Sequence, residues 1–222
     1  MNSVRLYYIK HQGESDLAQI DAIQVEQWLS ALSSQKQASI QRLIHYQDRV
    51  NSLAGLRLLR LCAQDEGIKN FKLSDVQYPE TGKPFWKNDK DYYDFNISHS
   101  GSFIVIAASA TLKVGVDAEQ IRLLKRLSFK RIMSADELAD IEQTPALFFD
   151  LWSQKEAVVK AADTVGLARM SDVSLKQNMA VLDEEQWFLK SIKLDDQYAI
   201  NMATSKAVDE LIVKQIKIKN LK

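Results

Sequence analysis

The chain has 222 residues, 46% of them hydrophobic, which is enough for one large core or two smaller ones. Lysine plus arginine (29) equals aspartate plus glutamate (29), so no net basic field gathers nucleic acid, and any charged partner must meet a local patch. The single cysteine, Cys62, excludes an internal disulfide framework and a cysteine-based zinc site; in the apolar run 58–63 it reads as a buried structural thiol. The first ten residues lack the apolar stretch of a secretory signal, and no apolar run is long enough to cross a bilayer. A cytoplasmic protein with neither a membrane nor a nucleic-acid partner is expected.

Val4 to Lys10 alternates and is β-rich, which predicts a first strand. Leu17 to Leu32 and Lys36 to Gln64 carry helical spacing, the second stretch broken near His45 to Asp48. Gly55 lies inside that later helix, where glycine costs ~1 kcal/mol against alanine, so a close contact with another helix is expected. From Phe71 the character changes to short strands at 76–78, 85–86, 92–97 and 103–108. A further strand is predicted over 113–117, then a basic, leucine-rich helical region from Ile121 to Ile132. Ser134 to Glu137 has the form of a capping box, and Thr144-Pro145 reads as an N-cap and first-turn proline opening a helix to about Ala162. The remainder is strand-like at 173–175, 187–194, 198–203 and 211–218. Strand, helices and strands thus occur twice in order. An α+β fold of two similar halves is expected, an N-terminal half at 1–110 and a C-terminal half at 111–222 that carries the chemistry. No Pro/Gly/Ser linker separates them, so they should pack firmly.

Residues 114–119, VGVDAE, have a period of two. In a strand Val114, Val116 and Ala118 face one way, and Asp117 and Glu119 the other. Two carboxylates on one side repel unless a positive group lies between them, and Mg²⁺ suits such oxygen ligands. Alone, the pair fits a solvated strand end equally well. In 152–160, WSQKEAVVK, Glu156 and Lys160 are one turn apart. Alone they are an ordinary surface ion pair. Beside the carboxylate strand, Glu156 becomes a third oxygen ligand and Lys160 a cation for a phosphate oxygen. Lys155 stands on the otherwise apolar face of this helix, either snorkelling or anchoring a site carboxylate. Two turns complete the inventory. Thr81-Gly82-Lys83-Pro84 exposes backbone and one cation, and 96–101, NISHSG, offers hydroxyls, an amide and an imidazole as donors. Either is also compatible with a plain surface or hairpin turn.

GKP (82–84), FNISHSG (95–101), VGVDAE (114–119) and WSQKEAVVK (152–160), in that order, closely resemble the 4′-phosphopantetheinyl transferases of the larger, Sfp type. The likeness runs from the helix around Gly55 to about Asp163, and its later motif pair is the more specific. The resemblance implies a pseudo-dimer of two α+β halves with coenzyme A in the cleft between them. It implies Asp117, Glu119 and Glu156 as Mg²⁺ ligands, Glu156 as acceptor of the attacking proton and Lys160 as a pyrophosphate contact. Ser98 and His99 look like contacts to coenzyme A phosphates, Lys83 and Pro84 like part of the adenine-side wall, and Lys36 like one basic contact to the 3′-phosphate. Ser39, Gln47 and Asn51 stand where the family often has Lys or Arg, so the lining for that phosphate is thin unless Arg42 or Arg49 compensates. The gap before WSQKE is short, and Glu137 is already explained by its capping box.

The implied activity transfers 4′-phosphopantetheine from coenzyme A to a serine of an apo carrier protein, acyl, peptidyl or related, in a Mg²⁺-dependent monomer. Ile121 to Ile132 interleaves Arg122, Lys125, Arg126, Lys130 and Arg131 with leucines and is either a self-packed amphipathic helix or a dock for an acidic, helical carrier. Two other readings stay open: a catalytically weak scaffold binding coenzyme A or a carrier protein, and a Mg²⁺-dependent phosphodiesterase. The latter leaves NISHSG and GKP unexplained.

Overall fold

The computed structural model describes residues 1–12, 16, 20–88, 91–124, 131–164 and 166–221. Its fold is α+β. The first strand, β1 (Ser3–Lys10), lies inside a four-stranded sheet of order β11-β1-β5-β4. Here β4 is Asp94–Ser100, β5 is Phe103–Ser109 and β11 is Glu210–Gln215. β5 is apolar up to its last residue, Ser109, and buried on both faces, as a central strand must be. β1 pairs with it antiparallel and with β11 parallel, so the end of the chain returns to the first sheet. A short two-stranded sheet, β2 (Val76–Gln77) with β3 (Phe85–Trp86), flanks it.

A five-stranded sheet of order β6-β10-β9-β8-β7 follows. Its strands are β6 (Val114–Gln120), β7 (Ser174–Lys176), β8 (Met179–Leu182), β9 (Glu185–Ser191) and β10 (Tyr198–Thr204). Helices α1 (Ala22–Ser30), α2 (Ser34–Gln41) and α3 (Tyr46–Asp65) precede β2. Helices α4 (Ala135–Gln143), α5 (Leu147–Ala161) and α6 (Leu167–Ser171) follow β6.

Strand alternation sorts the side chains into three cores. Tyr7, Ile9, Ile104 and Ile106 turn toward α1 and α3, packing with Trp28, Leu53 and Leu58. Val4, Leu6, Phe103 and Val105 turn the other way, against Val114, Val116, Ile200 and Met202 of the second sheet. Ala199 and Ala203 pack under Ala157, Val158 and Ala161 of α5. The layers therefore run helices, sheet, sheet, helix. No helix among the described residues is long and apolar enough to cross a membrane.

The break between α2 and α3 falls where the sequence places it. The close contact at Gly55 is with strands rather than a helix: an added Cβ would lie 2.9 Å from Ile97 Cγ2 of β4 and 3.6 Å from Ile104 Cγ2 of β5. The Ser134 capping box forms, with Glu137 N–H donating to Ser134 Oγ (3.2 Å) and Ser134 N–H to Glu137 Oε2 (2.7 Å). Thr144 does not cap α5. It closes α4, and α5 opens two residues later at Ala146 with no side-chain cap. Of the helical region expected over 121–132, residues 125–130 lie outside the described residues; 121–124 and 131–133 are irregular. Ile121 N–H still donates to Gln197 O (2.8 Å), which holds the chain extended past β6.

Candidate active site

The site begins at a glycine. A Cβ on Gly115 would stand 2.1 Å from Ala157 O and 2.5 Å from Ala161 N, both backbone atoms of α5. Only glycine lets the helix lie this close to β6, and that proximity sets the next residues of each element against one another. Asp117 and Glu119 share the Gly115 face, and Glu156 and Lys160 project from α5 to meet them.

One oxygen from each of Asp117, Glu119 and Glu156 lies within 4.8 Å of the others. Lys160 Nζ stands 2.7 Å from Asp117 Oδ1 and 3.1 Å from Glu156 Oε1. Trp152 Nε1 donates to Glu156 Oε2 at 2.9 Å, which fixes that carboxylate from one turn before. Burial lowers the basicity of Lys160, but Asp117 and Glu156 outweigh it, so its pKa is raised and the ammonium is held charged. Burial, then Asp117, then Glu156 push the Glu119 carboxyl up to about 7, against the smaller pull of Lys160 and Arg122. Asp117 is 2% exposed, and its Oδ2 has no hydrogen-bond partner among the described residues. Three carboxylates face one ammonium, with a buried oxygen left over. That surplus of hard, negative oxygen fits a divalent cation of the Mg²⁺ kind.

β4 runs alongside the open edge of β6 and joins it through side chains rather than backbone. Asp94 Oδ2 accepts Val114 N–H (2.8 Å), Asn96 Oδ1 accepts Val116 N–H (2.9 Å), Ser98 Oγ accepts Ala118 N–H (3.3 Å) and Ser100 Oγ accepts Gln120 N–H (3.1 Å). Alternate residues of β4 thus serve alternate N–H groups of β6 at a constant offset, because both strands repeat with period two. Lys83 Nζ donates to Val114 O (2.9 Å) and contacts Asp94 Oδ2 (2.5 Å), while Lys160 Nζ lies 3.5 Å from Val116 O. The TGKP turn is itself tied to the end of α5, with Lys83 N–H donating to Asp163 Oδ1 at 2.7 Å.

The other side of β4 borders a cavity of about 180 Å³. Lys36, Ser52, Leu56, Tyr78, Pro84 and His99 line it with Phe95, Asn96 and Ile97. Lys36 Nζ sits over the Tyr78 ring, 4.8 Å from its centroid, and burial lowers its basicity. His99 stands at the rim. Its protein surroundings lower its basicity, Asp48 opposes this, and Lys160 and Lys36 add to it.

The residues singled out in the sequence therefore fall into three places. Asp117, Glu119, Glu156 and Lys160 converge in one corner. Lys36, Pro84 and His99 meet at the cavity. Lys83 and Ser98 lie in the seam between them: Lys83 is committed to Asp94 and Val114, and Ser98 Oγ donates to Asp117 Oδ1 (2.9 Å). Lys155 is 2% exposed and neither snorkels nor reaches the corner. It pairs with the capping-box residue Glu137 (3.0 Å) and donates to Val173 O (3.0 Å), joining α4 to α5. Sequence reasoning missed Trp152 and Asp94, and it read Asn96 and Ser100 as donors in a turn rather than as acceptors along β6. The signal for Asp94, Asn96 and Ser100 was there in the alternation D-x-N-x-S-x-S, which matches the period of VGVDAEQ.

Comparison with known proteins places the same two stretches. A family model described as 4′-phosphopantetheinyl transferase, N-terminal, matches residues 21–111, and one described as 4′-phosphopantetheinyl transferase superfamily matches residues 113–206. The two meet between β5 and β6. A 4′-phosphopantetheinyl transferase of Bacillus subtilis is 31% identical over 196 residues, covering 82% of this chain and 85% of that protein. Another, of Bacillus pumilus, is 28% identical over 195 residues, covering 82% and 83%. The L-aminoadipate-semialdehyde dehydrogenase-phosphopantetheinyl transferase of Mus musculus is 25% identical over 217 residues, covering 81% and 70%. Relatives aligned across both sheets, and across the strand and helix that build the acidic corner, make this chain an enzyme of the 4′-phosphopantetheinyl transferase family.

Proposed function

We propose that the protein transfers the 4′-phosphopantetheine group of coenzyme A to a serine of an apo carrier protein, with Mg²⁺, releasing adenosine 3′,5′-bisphosphate. The observation that carries this reading is the convergence of Asp117, Glu119 and Glu156 beside Lys160, one strand away from a cavity lined by Lys36, Pro84 and His99. The two α+β halves, 1–110 and 111–222, are read as a pseudo-dimer that returns its last strand to the first sheet and holds coenzyme A at the seam.

In this reading Asp117, Glu119 and Glu156 hold the metal, which when bound supplies positive charge to the coenzyme A pyrophosphate. The cavity takes the nucleotide end, with Lys36 and His99 toward its phosphates and Pro84 against the base. Lys83 and Ser98 serve one step back, fixing Asp94, Val114 and Asp117 in place. The serine hydroxyl attacks the phosphorus that bears the pantetheine arm. Its proton passes to Glu156, the new oxygen–phosphorus bond forms, and the bond to adenosine bisphosphate breaks. Lys160, held cationic by Asp117 and Glu156, meets the negative charge that grows on the phosphoryl oxygens.

The carrier is proposed to dock over Ile121 to Ile132, where Arg122 and Arg131 flank the segment and Leu123 is 93% exposed; Lys125, Arg126 and Lys130 lie outside the described residues. Reversing Arg122, Lys125 and Arg126 to Glu then slows carrier modification without changing coenzyme A affinity, and equal loss of both counts against docking there. The protein is taken to act as a cytoplasmic monomer, testable by light scattering on the purified chain.

Incubation with Mg²⁺, coenzyme A and an apo carrier protein, followed by mass spectrometry, tests the activity. A carrier heavier by one phosphopantetheine supports it. Tight binding without a covalent change supports a scaffold instead, and hydrolysed coenzyme A with an unmodified carrier supports a phosphodiesterase.

A further inference from the structure

Asn96 stands between the two parts of the site. Its Oδ1 is fixed by Val116 N–H at 2.9 Å, a donor that only an oxygen satisfies, so the orientation of the carboxamide is determined. Its Nδ2 has no acceptor among the described residues. Asn96 is 7% exposed and belongs to the lining of the cavity. One side chain therefore closes a rung of the seam with its oxygen and offers an uncommitted donor to the cavity with its nitrogen.

The rung matters because of what lies next on β6. Val116 immediately precedes Asp117, and the same strand edge carries Ala118 and Gln120 on the following rungs, with Glu119 between them. The rungs also shorten along the strand. Asp94 and Asn96 reach across with two-carbon side chains, while Ser98 and Ser100 span their gaps with one. Asn96 is the last long rung before the carboxylates. Removing its oxygen leaves a buried N–H unpaired and the β4-facing edge of β6 tied to β4 only through Asp94 and the two serines, while β10 still pairs the other edge.

We infer that Asn96 is a positioning residue for the carboxylate corner and, through the same amide, a hydrogen-bond donor to an acceptor atom of the nucleotide bound in the cavity. This rests on the transferase reading for the nucleotide and its contact to Nδ2, but not for the Val116 contact, which the structure shows. Two substitutions separate the roles. Asn96→Ala removes both. Asn96→Asp keeps an acceptor of the same reach, the solution the chain already uses at Asp94, and removes the donor.

The test measures Mn²⁺ binding by electron paramagnetic resonance in the absence of coenzyme A, and coenzyme A binding by calorimetry, on the whole chain. Asn96→Ala is expected to weaken each by about tenfold, the scale of a lost supporting hydrogen bond at a metal site or a ligand. Asn96→Asp is expected to bind Mn²⁺ at least as tightly as the native chain while coenzyme A stays weakened. Native Mn²⁺ affinity in a folded Asn96→Ala protein overturns the positioning role, and native coenzyme A affinity in Asn96→Asp overturns the donor role. Should Asn96→Ala fail to fold, Asn96→Asp decides alone, since weakened Mn²⁺ binding in that variant contradicts the inference. Carrier modification by the native chain is run in parallel. Its absence, with both binding constants behaving as expected, removes the transferase reading and leaves the role of Asn96 standing.

Discussion

The acidic corner and the cavity lie on either side of β4, yet they are built by opposite means. In the corner, backbone touches backbone: Gly115 lets α5 rest on β6, and Asp117, Glu156 and Lys160 interlock within 3.1 Å. At the cavity the walls are Leu56, Phe95, Ile97 and Pro84, with the cation Lys36 and the weakly basic imidazole of His99. The glycines tell the same story. The nearest neighbours of a Cβ on Gly115 are backbone atoms of a helix, whereas on Gly55 they are side-chain methyls of Ile97 and Ile104. The corner is built on close backbone contact, and the cavity on side chains. The corner should therefore govern turnover, and the cavity should govern affinity.

The hardest blow to that division is Asp117→Asn. It keeps the shape and the Ser98 contact but removes the buried charge that both Lys160 and a cation need. Turnover should fall by about 10³-fold or more, with a native circular-dichroism spectrum. Near-native turnover would take Asp117 out of the chemistry. Lys160→Ala comes next, with an expected loss of about 10²–10³-fold in kcat if, as proposed, Lys160 meets the charge that grows on the phosphoryl oxygens in the transition state. A change confined to KM would move Lys160 to the affinity side.

Proton competition gives a smaller and graded effect. With no metal bound, Glu119 titrates near 7, raised above its ordinary range by burial and by Asp117 and Glu156. Below that pH it carries a proton that must leave before it can ligate, so Mg²⁺ affinity should fall as pH drops through 7, by about tenfold per unit well below it. The same shift has a sign for stability. The folded form holds this proton more tightly than the unfolded chain, so the metal-free protein should lose stability as pH rises from the ordinary carboxylate range toward 7. Melting with and without Mg²⁺ across that window checks both. In Glu119→Gln the metal-free slope should flatten.

Much of the corner was legible because its signals are local. Period two in VGVDAE puts Asp117 and Glu119 on one face, and an i, i+4 spacing stacks Glu156 on Lys160. Their meeting depends on Gly115, which the sequence displays without saying what approaches it. Lys83 and Ser98 were read as ligand contacts because cations and hydroxyls in turns look available. The offset between β4 and β6, a tertiary fact, adds the seam contacts that both residues make. Lys155 is the same lesson in reverse: its partner Glu137 was already accounted for as a cap, and one carboxylate does both jobs. In the fold, β8 and α6 escaped because four- and five-residue elements carry too little periodicity to register. The helix expected over 121–132 does not begin at Ile121, because pairing to Gln197 carries the strand conformation past Gln120.

The mildest expected effect belongs to the cavity. Ser39 is exposed, Asn51 is buried with its Oδ1 unpaired, and Arg49 Nε donates to Leu43 O at 2.7 Å, so Lys36 is the principal cation of this wall. Its ammonium is held over Tyr78 rather than by a carboxylate, which leaves it ready to turn to a phosphate. A charge-assisted hydrogen bond of this kind contributes about 1.5–3 kcal/mol when formed, and the contact exists equally in the bound substrate and in the transition state. Lys36→Ala should accordingly raise KM for coenzyme A by about tenfold or more and leave kcat unchanged. A matching loss in kcat would mean that the grip on the nucleotide also sets the position of the pyrophosphate in the corner, and the two regions would then be one machine rather than two.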